Sequence, residues 1–196
     1  MGYPITEQLH AVTADGERAA ADVPRLRRSL SLYFAVVWRS LRRWGVPLHA
    51  VDDAAQQVFI IFADRVAQVE HGREKAFLVA TAVRVAANAR RLHQRSREVP
   101  TDDLDDIAAP PSGSRGATPE QLLDWKQRRE RLDEALDELP FEQRTVFVLF
   151  ELEGFSLPEI ADAVGVPLGT ATSRLRRARR AFEEWIAAQS NDGGEP

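Results

Sequence analysis

Signals for the start and the end of a helix follow one another closely over residues 139–180. Few folds other than a series of short helices can accommodate them. Ser156 stands three residues before Glu159, the spacing of a capping box in which each side chain accepts the other residue's backbone amide. Gly165 permits a tight turn. Pro167 suits the first position of the next helix, because its missing amide donor would be unpaired there anyway. The spacing predicts a helix-turn-helix.

The last of these helices carries its positive charge on one side. Between Pro167 and Ala181 there are five arginines and no acidic residue. The apolar positions that recur at helical spacing and are expected to face a core are Leu168, Ala171, Leu175, Ala178 and Phe182. A helix with this charge fits the major groove of DNA and neutralises phosphates. The alternative is an ordinary helical pair with a solvated basic face.

Composition narrows the remaining function classes. The net charge of −4 does not argue against DNA binding, because local basic patches set the affinity for phosphate. The chain has no cysteine, which excludes disulfides and thiolate metal sites and fits a reducing cytoplasm. No apolar run approaches the roughly 18 residues of a membrane span. Because no catalytic, metal-ligand or glycine-rich phosphate pattern emerges, we expect no enzyme activity, no cofactor and no metal.

The amino-terminal part predicts a helical domain over residues 24–98, after an extension of residues 1–23 that is either frayed or a short helix. Three helices are expected in this domain, over Pro24–Trp44, Val51–Val66 and Arg73–Arg97. Each has an apolar stripe at helical spacing, which includes Leu30 in the first helix and Leu92 in the third. The third is also basic.

A linker over residues 99–119 separates this domain from the next. It is rich in Pro, Gly and Ser, and from Glu98 to Glu120 there are six acidic residues against one arginine. Residues 120–188 form the carboxy-terminal domain, and the polar tail of residues 189–196 is expected to be disordered. The predicted fold is therefore all-α, with two small helical domains joined by a flexible acidic linker.

The carboxy-terminal domain resembles region 4 of bacterial sigma factors, in the small extracytoplasmic-function (ECF) branch. The family pattern runs L-P-x-x-x-R-x-V-F, then E-G-x-S-x-x-E-I-A, then G-x-P-x-G-T-x-x-S-R-L-x-R-A-R. The matching residues are Leu139, Pro140, Arg144, Val146, Phe147, Glu153, Gly154, Ser156, Glu159, Ile160, Ala161, Gly165, Pro167, Gly169, Thr170, Ser173, Arg174, Leu175, Arg177, Ala178 and Arg179. Members usually have Val-Lys where this chain has Ala171 and Thr172.

The amino-terminal domain is similar to sigma region 2, less closely. The family stretch D-L-V-Q-E-V-F is matched by Asp53, Gln56, Val58 and Phe59. Gln57 replaces the glutamate of that stretch, and residues 80–84 stand where an R-I-A-R-N stretch is usual.

The resemblance implies a factor that binds core RNA polymerase, guides it to a promoter and helps to open the duplex without covalent chemistry. The residues implied to contact the polymerase are Asp53, Gln56, Gln57 and Ile60. Those implied for the minus-10 element and its non-template single strand are His71, Arg73, Arg84, Asn88 and Arg91. Those implied for the minus-35 element, on the recognition helix, are Pro167, Thr170, Thr172, Ser173, Arg174, Arg176, Arg177 and Arg180. The implied partners are core polymerase and promoter DNA, with an anti-sigma factor as a further candidate and no membrane.

Two other functions remain open on the sequence alone. One is a stand-alone helix-turn-helix regulator that binds operators as a dimer. The other is a degenerate, sigma-like adaptor that binds only protein partners. Dependence on polymerase separates all three, because a regulator binds DNA unaided, a sigma factor directs transcription only with core enzyme, and an adaptor does neither.

Overall fold

A computed structural model provides the structure of the chain. It describes the backbone of residues 5–96 and 118–192, and the side chains of residues 22–93, 118 and 120–189. The described ranges are helical and contain no strand, so the predicted all-α class is confirmed. The α-helices are α1 (Ile5–Arg43), α2 (Leu48–Arg65), α3 (Glu74–Ser96), α4 (Pro119–Asp137), α5 (Phe141–Phe147), α6 (Leu157–Val164) and α7 (Leu168–Asp192). Linker residues 99–117 and tail residues 193–196 lie outside the described residues.

The first three helices pack around one apolar centre. Its largest fully buried side chains are Trp44, Phe62, Leu41 and Leu78. Helix α1 begins at Ile5 and continues through Pro24, so the predicted domain boundary at residue 24 falls inside one continuous helix. None of the described helices is both long and apolar enough to cross a bilayer.

Three leucines of the predicted apolar stripes are exposed instead of buried, and Leu30 of α1 is one of them at 43%. Leu168 at the start of α7 is 50% exposed, and Leu92 near the end of α3 is 57% exposed. Helical spacing places a residue on a face, but a neighbouring element must also cover that part of the helix. The prediction that Leu168 faces a core is therefore wrong.

Helix α5 does not continue as one regular helix to Gly154. Residues 148–152 form a π-helical turn, and the amide of Phe155 donates to the carbonyl of Leu149 over 2.9 Å. All six residues from 144 to 149 are buried. Six consecutive residues span more than one full turn, so this stretch of helix is buried on every side. Short π turns are often found at functional positions.

The predicted capping box at the start of α6 is confirmed. The Ser156 amide donates to the Glu159 carboxylate over 2.8 Å, and the Glu159 amide donates to the Ser156 hydroxyl over 3.5 Å. Gly165 then ends the helix with φ +69°, in the left-handed region that glycine adopts without steric cost. These two devices fix the length of α6 at little more than two turns.

Pro167 was predicted as the first residue of the next helix but stands just before it. Its carbonyl accepts the amides of Thr170 and Ala171 over 2.9 and 3.1 Å, which is the role of an N-cap residue. A second capping box, unpredicted, begins α4, where Thr118 and Gln121 exchange the same pair of hydrogen bonds.

The amino-terminal group of helices, α1–α3, and the carboxy-terminal group, α4–α7, pack directly on each other. Helix α3 lies against α6, and the end of α1 lies against the π turn. Buried side chains of both groups form one continuous apolar cluster. The faces that the sequence assigns to different domains therefore meet in this structure.

We expect Ser156→Ala to lower the free energy of unfolding by about 1 kcal/mol, because the variant loses the hydroxyl that caps α6. Chemical denaturation followed by circular dichroism measures the change. Ser31→Ala, at an exposed position inside α1, is the matched control and should cause no loss. Equal stability of the two variants would contradict the capping role.

Candidate nucleic-acid interface

Helix α7 is held by one narrow buried side and presents the rest of its surface to solvent. Ala171, Leu175 and Ala178 are at most 4% exposed and press the helix against α5 and α6. Of the residues predicted to contact DNA, Pro167, Thr172, Arg176, Arg177 and Arg180 are exposed, and Thr170, Ser173 and Arg174 are half-buried. The residues predicted to contact DNA therefore lie on the side of α7 that faces away from α5 and α6.

The arginines of α7 differ in how far they are already paired. Arg179 binds Glu151 over 2.6 Å and lies over the Phe150 ring, and Arg180 binds Glu184 over 2.8 Å. By contrast the guanidinium groups of Arg174, Arg176 and Arg177 make no hydrogen bond or ion pair within the described residues. These three guanidinium groups are available to an anionic ligand such as a phosphate or to a guanine edge.

Two of the three hydroxyl side chains near the start of α7 bond to their own helix. Thr172 donates to the Leu168 carbonyl over 2.8 Å, and Ser173 donates to the Thr170 carbonyl over 2.9 Å. Thr172 stands where the family usually has lysine. Its hydroxyl lies against the helix backbone, so this position adds no charge to the basic face.

A second basic face runs along α3. Arg84, Asn88 and Arg91 are separated by four and three residues, which places them on one side of the helix, and all three are exposed. His71 is exposed in the turn that precedes α3. Arg73 is also exposed, but its guanidinium binds Asp162 of α6 over 2.8 Å.

The residues predicted to contact polymerase form one exposed face of α2. Asp53, Gln56, Gln57 and Ile60 follow the i, i+3, i+4, i+7 pattern, and Ile60 is 53% exposed. The sequence did not single out Phe34 of α1, which is 42% exposed and stacks on Phe59 of α2. Phe34 lies next to the α1 stripe, so periodicity gave no reason to choose it.

A buried carboxylate joins the two groups of helices. Glu153 follows the π turn, and its side chain is 1% exposed. It accepts hydrogen bonds from Arg39 over 2.7 Å and from Arg43 over 2.6 Å, both at the end of α1. The bond to Glu153 raises the pKa of Arg39, whereas burial lowers the pKa of Arg43. Charge-assisted bonds of this kind are stronger than neutral ones, and the sequence pattern did not predict them.

Arg144, which matches the arginine of the family pattern, has a structural role. Its side chain is 3% exposed and donates both to the Arg43 backbone carbonyl and to the Asp137 carboxylate. Burial lowers the pKa of Arg144, and the Asp137 carboxylate opposes that shift. The guanidinium remains charged and connects α5 to the last turn of α1.

Two more ion pairs lie between the start of α3 and α6. Besides Arg73 with Asp162, Lys75 binds Glu159 over 3.1 Å and lies 3.8 Å from the centre of the Phe155 ring. The hydroxyl and amide of Ser156, followed by Lys75, lower the pKa of the Glu159 carboxyl to about 2. Because these pairs are well exposed, each contributes only about 0–1 kcal/mol.

Two clefts mark the junction between the helical groups. One, of about 400 Å³, is bordered by Gln68, Glu70, Arg73 and Phe77 on one side and by Asp162 on the other. The second, of about 460 Å³, lies between Arg90 and Arg91 of α3 and Arg174 of α7. Within the part of the chain that the structure describes, no three acidic or histidine side chains are grouped as metal ligands.

The sequence matches one protein-family model and is similar to several characterised proteins. Residues 129–182 match the family model described as Sigma-70, region 4. The chain is 32% identical over 188 residues to the ECF RNA polymerase sigma factor SigD of Mycobacterium tuberculosis H37Rv, covering 93% of this chain and 85% of that protein. It is 31% identical over 148 residues to the ECF RNA polymerase sigma-E factor of Escherichia coli K12, covering 72% of this chain and 76% of that protein.

Solved structures share the fold. The sigma factor RpoE in complex with the anti-sigma factor NepR from Bartonella quintana superimposes with a TM-score of 0.63 at 22% identity, covering 84% of this chain and 98% of that chain. CnrH in complex with the cytosolic domain of CnrY has a TM-score of 0.63 at 19% identity, covering 88% and 94%. The similarity extends over both groups of helices.

Proposed function

The chain belongs to the ECF sigma factors and is a promoter-specific transcription initiation factor, and from this premise we propose which partner each of its surfaces binds. Core RNA polymerase would bind the α2 face, the minus-35 element would bind α7, and the minus-10 element would bind α3 and the turn before it. The observation that carries this proposal is the basic face of α7, with three guanidinium groups unpaired within the described residues. Acting on polymerase, the protein would work in the cytoplasm and catalyse no covalent reaction.

The assignment to the minus-35 element is supported by shape and charge together. Helix α7 is supported from behind by α5 and α6, and its outward arc carries Arg174, Arg176 and Arg177. Arginine can bind the O6 and N7 atoms of guanine with two hydrogen bonds, or bind a phosphate with no sequence preference. The half-buried Arg174 is the best placed for a base contact, because its partly fixed side chain loses less conformational freedom on binding.

The assignment to the minus-10 element is supported by the exposed face of α3. Arg84 and Arg91 flank Asn88, which gives two cations and one amide on a single face. Single strands bind best to a cationic groove that leaves room for an unstacked base, and the cleft of about 400 Å³ lies beside this helix. Its lining includes the Phe77 ring, a surface against which a base could stack.

An anti-sigma factor is a further proposed partner. The solved relative from Bartonella quintana is described as a complex with an anti-sigma factor, and its fold covers most of this chain. A protein inhibitor would act by covering the α2 face or the α7 face, because those surfaces are the ones proposed to bind polymerase and promoter.

The central prediction is polymerase dependence. The purified chain should co-elute with core RNA polymerase, and the mixture should start transcription at discrete sites on genomic fragments, whereas neither component alone should do so. Run-off transcription followed by 5′-end mapping measures this and yields the promoter. Binding to a palindromic operator without polymerase would favour the regulator instead, and binding to polymerase without new transcripts would favour the adaptor.

The recognition helix gives the second prediction. In the holoenzyme, Arg174→Ala should weaken binding to that promoter by about 1–3 kcal/mol if Arg174 contacts a base, with little effect on non-promoter DNA. A contact to phosphate would instead weaken both DNAs alike and reduce the salt dependence. Arg128→Ala is the matched control, because Arg128 is exposed on α4 and, among the residues that the structure describes, pairs only with Asp124. Unchanged promoter binding by an Arg174→Ala, Arg177→Ala double variant would contradict the placement.

The α2 face gives the third prediction. Ile60→Ala should raise the Kd for core polymerase roughly fivefold to thirtyfold, the usual range for truncating an apolar side chain at the centre of an interface. Fluorescence anisotropy of the labelled chain titrated with core enzyme measures it. Leu123→Ala on α4 is a control of matched exposure, at 56% against 53% for Ile60. Equal effects of the two variants would count against the α2 face.

A further inference from the structure

Arg25 of α1 donates four hydrogen bonds to the stretch that joins α2 to α3. Its Nε donates to the carboxylate of Glu74, the first residue of α3, over 2.6 Å. One terminal nitrogen donates to the Val66 carbonyl over 2.8 Å, and the other donates to the carbonyls of Val69 and Glu70 over 2.6 and 3.0 Å. One guanidinium group therefore holds the turn of residues 66–73 against α1.

These bonds are sheltered, and they join distant parts of the chain. The side chain of Arg25 is 11% exposed and that of Glu74 is 14% exposed, so water competes little for either charge. The partners of Arg25 lie 41 to 49 residues further along the chain. Among the described residues, no other side chain donates to the three carbonyls. The shape of this turn therefore depends on α1 as well as on its own sequence.

The turn has an inner side, which Arg25 holds, and an outer side, which faces the proposed single-strand site. Its two valines are buried, whereas Gln68, Glu70 and His71 are exposed. Gln68 and Glu70 border the cleft of about 400 Å³ whose lining includes the Phe77 ring. Any movement of the carbonyls that Arg25 holds would move these outer side chains relative to that ring.

Only arginine has the shape for this set of bonds. A guanidinium group carries five N–H donors in one rigid plane, so it can reach a carboxylate and several carbonyls at once. Lysine has the same charge but concentrates its donors on one nitrogen, which cannot span partners so far apart. Replacement of Arg25 by lysine therefore keeps the charge and removes the span.

We propose that Arg25 is a positioning residue for the minus-10 element, and that by fixing the turn of residues 66–73 it sets how well the protein distinguishes one base from another in the non-template strand. The inference rests on the proposed function, because it takes this turn and α3 as the minus-10 site. Arg25 itself needs no contact with DNA. A turn held in its binding shape before the strand arrives loses less conformational freedom on binding.

Holoenzyme that contains Arg25→Lys should discriminate less between bases of the minus-10 element. The probes are fork-junction oligonucleotides of the promoter mapped above, with each base of the non-template minus-10 strand replaced in turn. The ratio of the Kd for a replaced base to the Kd for the original base should fall at least about fivefold at the most selective position, because a loosened turn weakens binding of the matching base most. The same ratio for replaced minus-35 bases should not change.

Arg27→Lys is the matched control. Arg27 is exposed on the same helix, and within the described residues it makes no hydrogen bond or ion pair. A defect that only lowered the fraction of folded protein would weaken binding of every oligonucleotide alike and leave each ratio unchanged. Equal minus-10 ratios for Arg25→Lys and Arg27→Lys would therefore overturn the positioning role.

Hydrogen exchange of the free chain tests the same role without polymerase. The amides of Val69 and Arg73 bond within the turn, to the carbonyls of Val66 and Glu70. In Arg25→Lys, peptides that cover residues 66–73 should exchange at least about fivefold faster, while α2 and the rest of α3 keep their wild-type rates. Unchanged exchange in the turn would overturn the role, and so would faster exchange throughout α1–α3, which would make Arg25 a support of the whole domain.

The failure of the proposed function has a different signature. If wild-type holoenzyme does not discriminate between minus-10 bases at all, the assignment of the turn and α3 to that element is wrong, and the role of Arg25 is rejected with it. If the wild type discriminates and Arg25→Lys discriminates equally well, the minus-10 assignment stands and only the role of Arg25 is rejected.

Discussion

A carboxylate that is almost completely withdrawn from water, Glu153, organises the junction between the two helical groups. Two arginines of α1 neutralise it, and without them its burial would be strongly unfavourable. The backbone delivers this side chain through the π turn that precedes it and through Gly154, whose φ of +70° turns the chain away immediately afterwards. An irregular stretch of helix thus places one charge where the two domains meet.

The charges that meet at the junction are divided between the two helical groups. The ion pairs that cross the junction take their cations from α1 and from Arg73 and Lys75, and their acids from α4, α6 and the residue after the π turn. In this structure these charges neutralise each other. Net charge is therefore a poor guide to the surface that this protein presents.

Much of the fold could be predicted because its signals are local. The Ser156 box and Gly165 fixed the ends of α6, and the basic arc of α7 reached the surface as expected. The capping box at Thr118 is an equally local signal, since glutamine follows it by three residues. Predictions were less accurate where burial depended on a neighbour, as at Leu168, which periodicity assigned to the core and the structure leaves half exposed.

The sequence by itself determined the helices, their caps and the faces on which charged side chains lie, because each depends on residues within about one turn of one another. Only the tertiary structure decided which faces meet. The partners Arg43 and Glu153 are 110 residues apart, and Arg73 and Asp162 are 89 apart. No periodic pattern links residues at such distances, because their pairing follows from how whole helices dock. The surfaces proposed for promoter DNA were thus visible in the sequence, whereas their mutual approach was not.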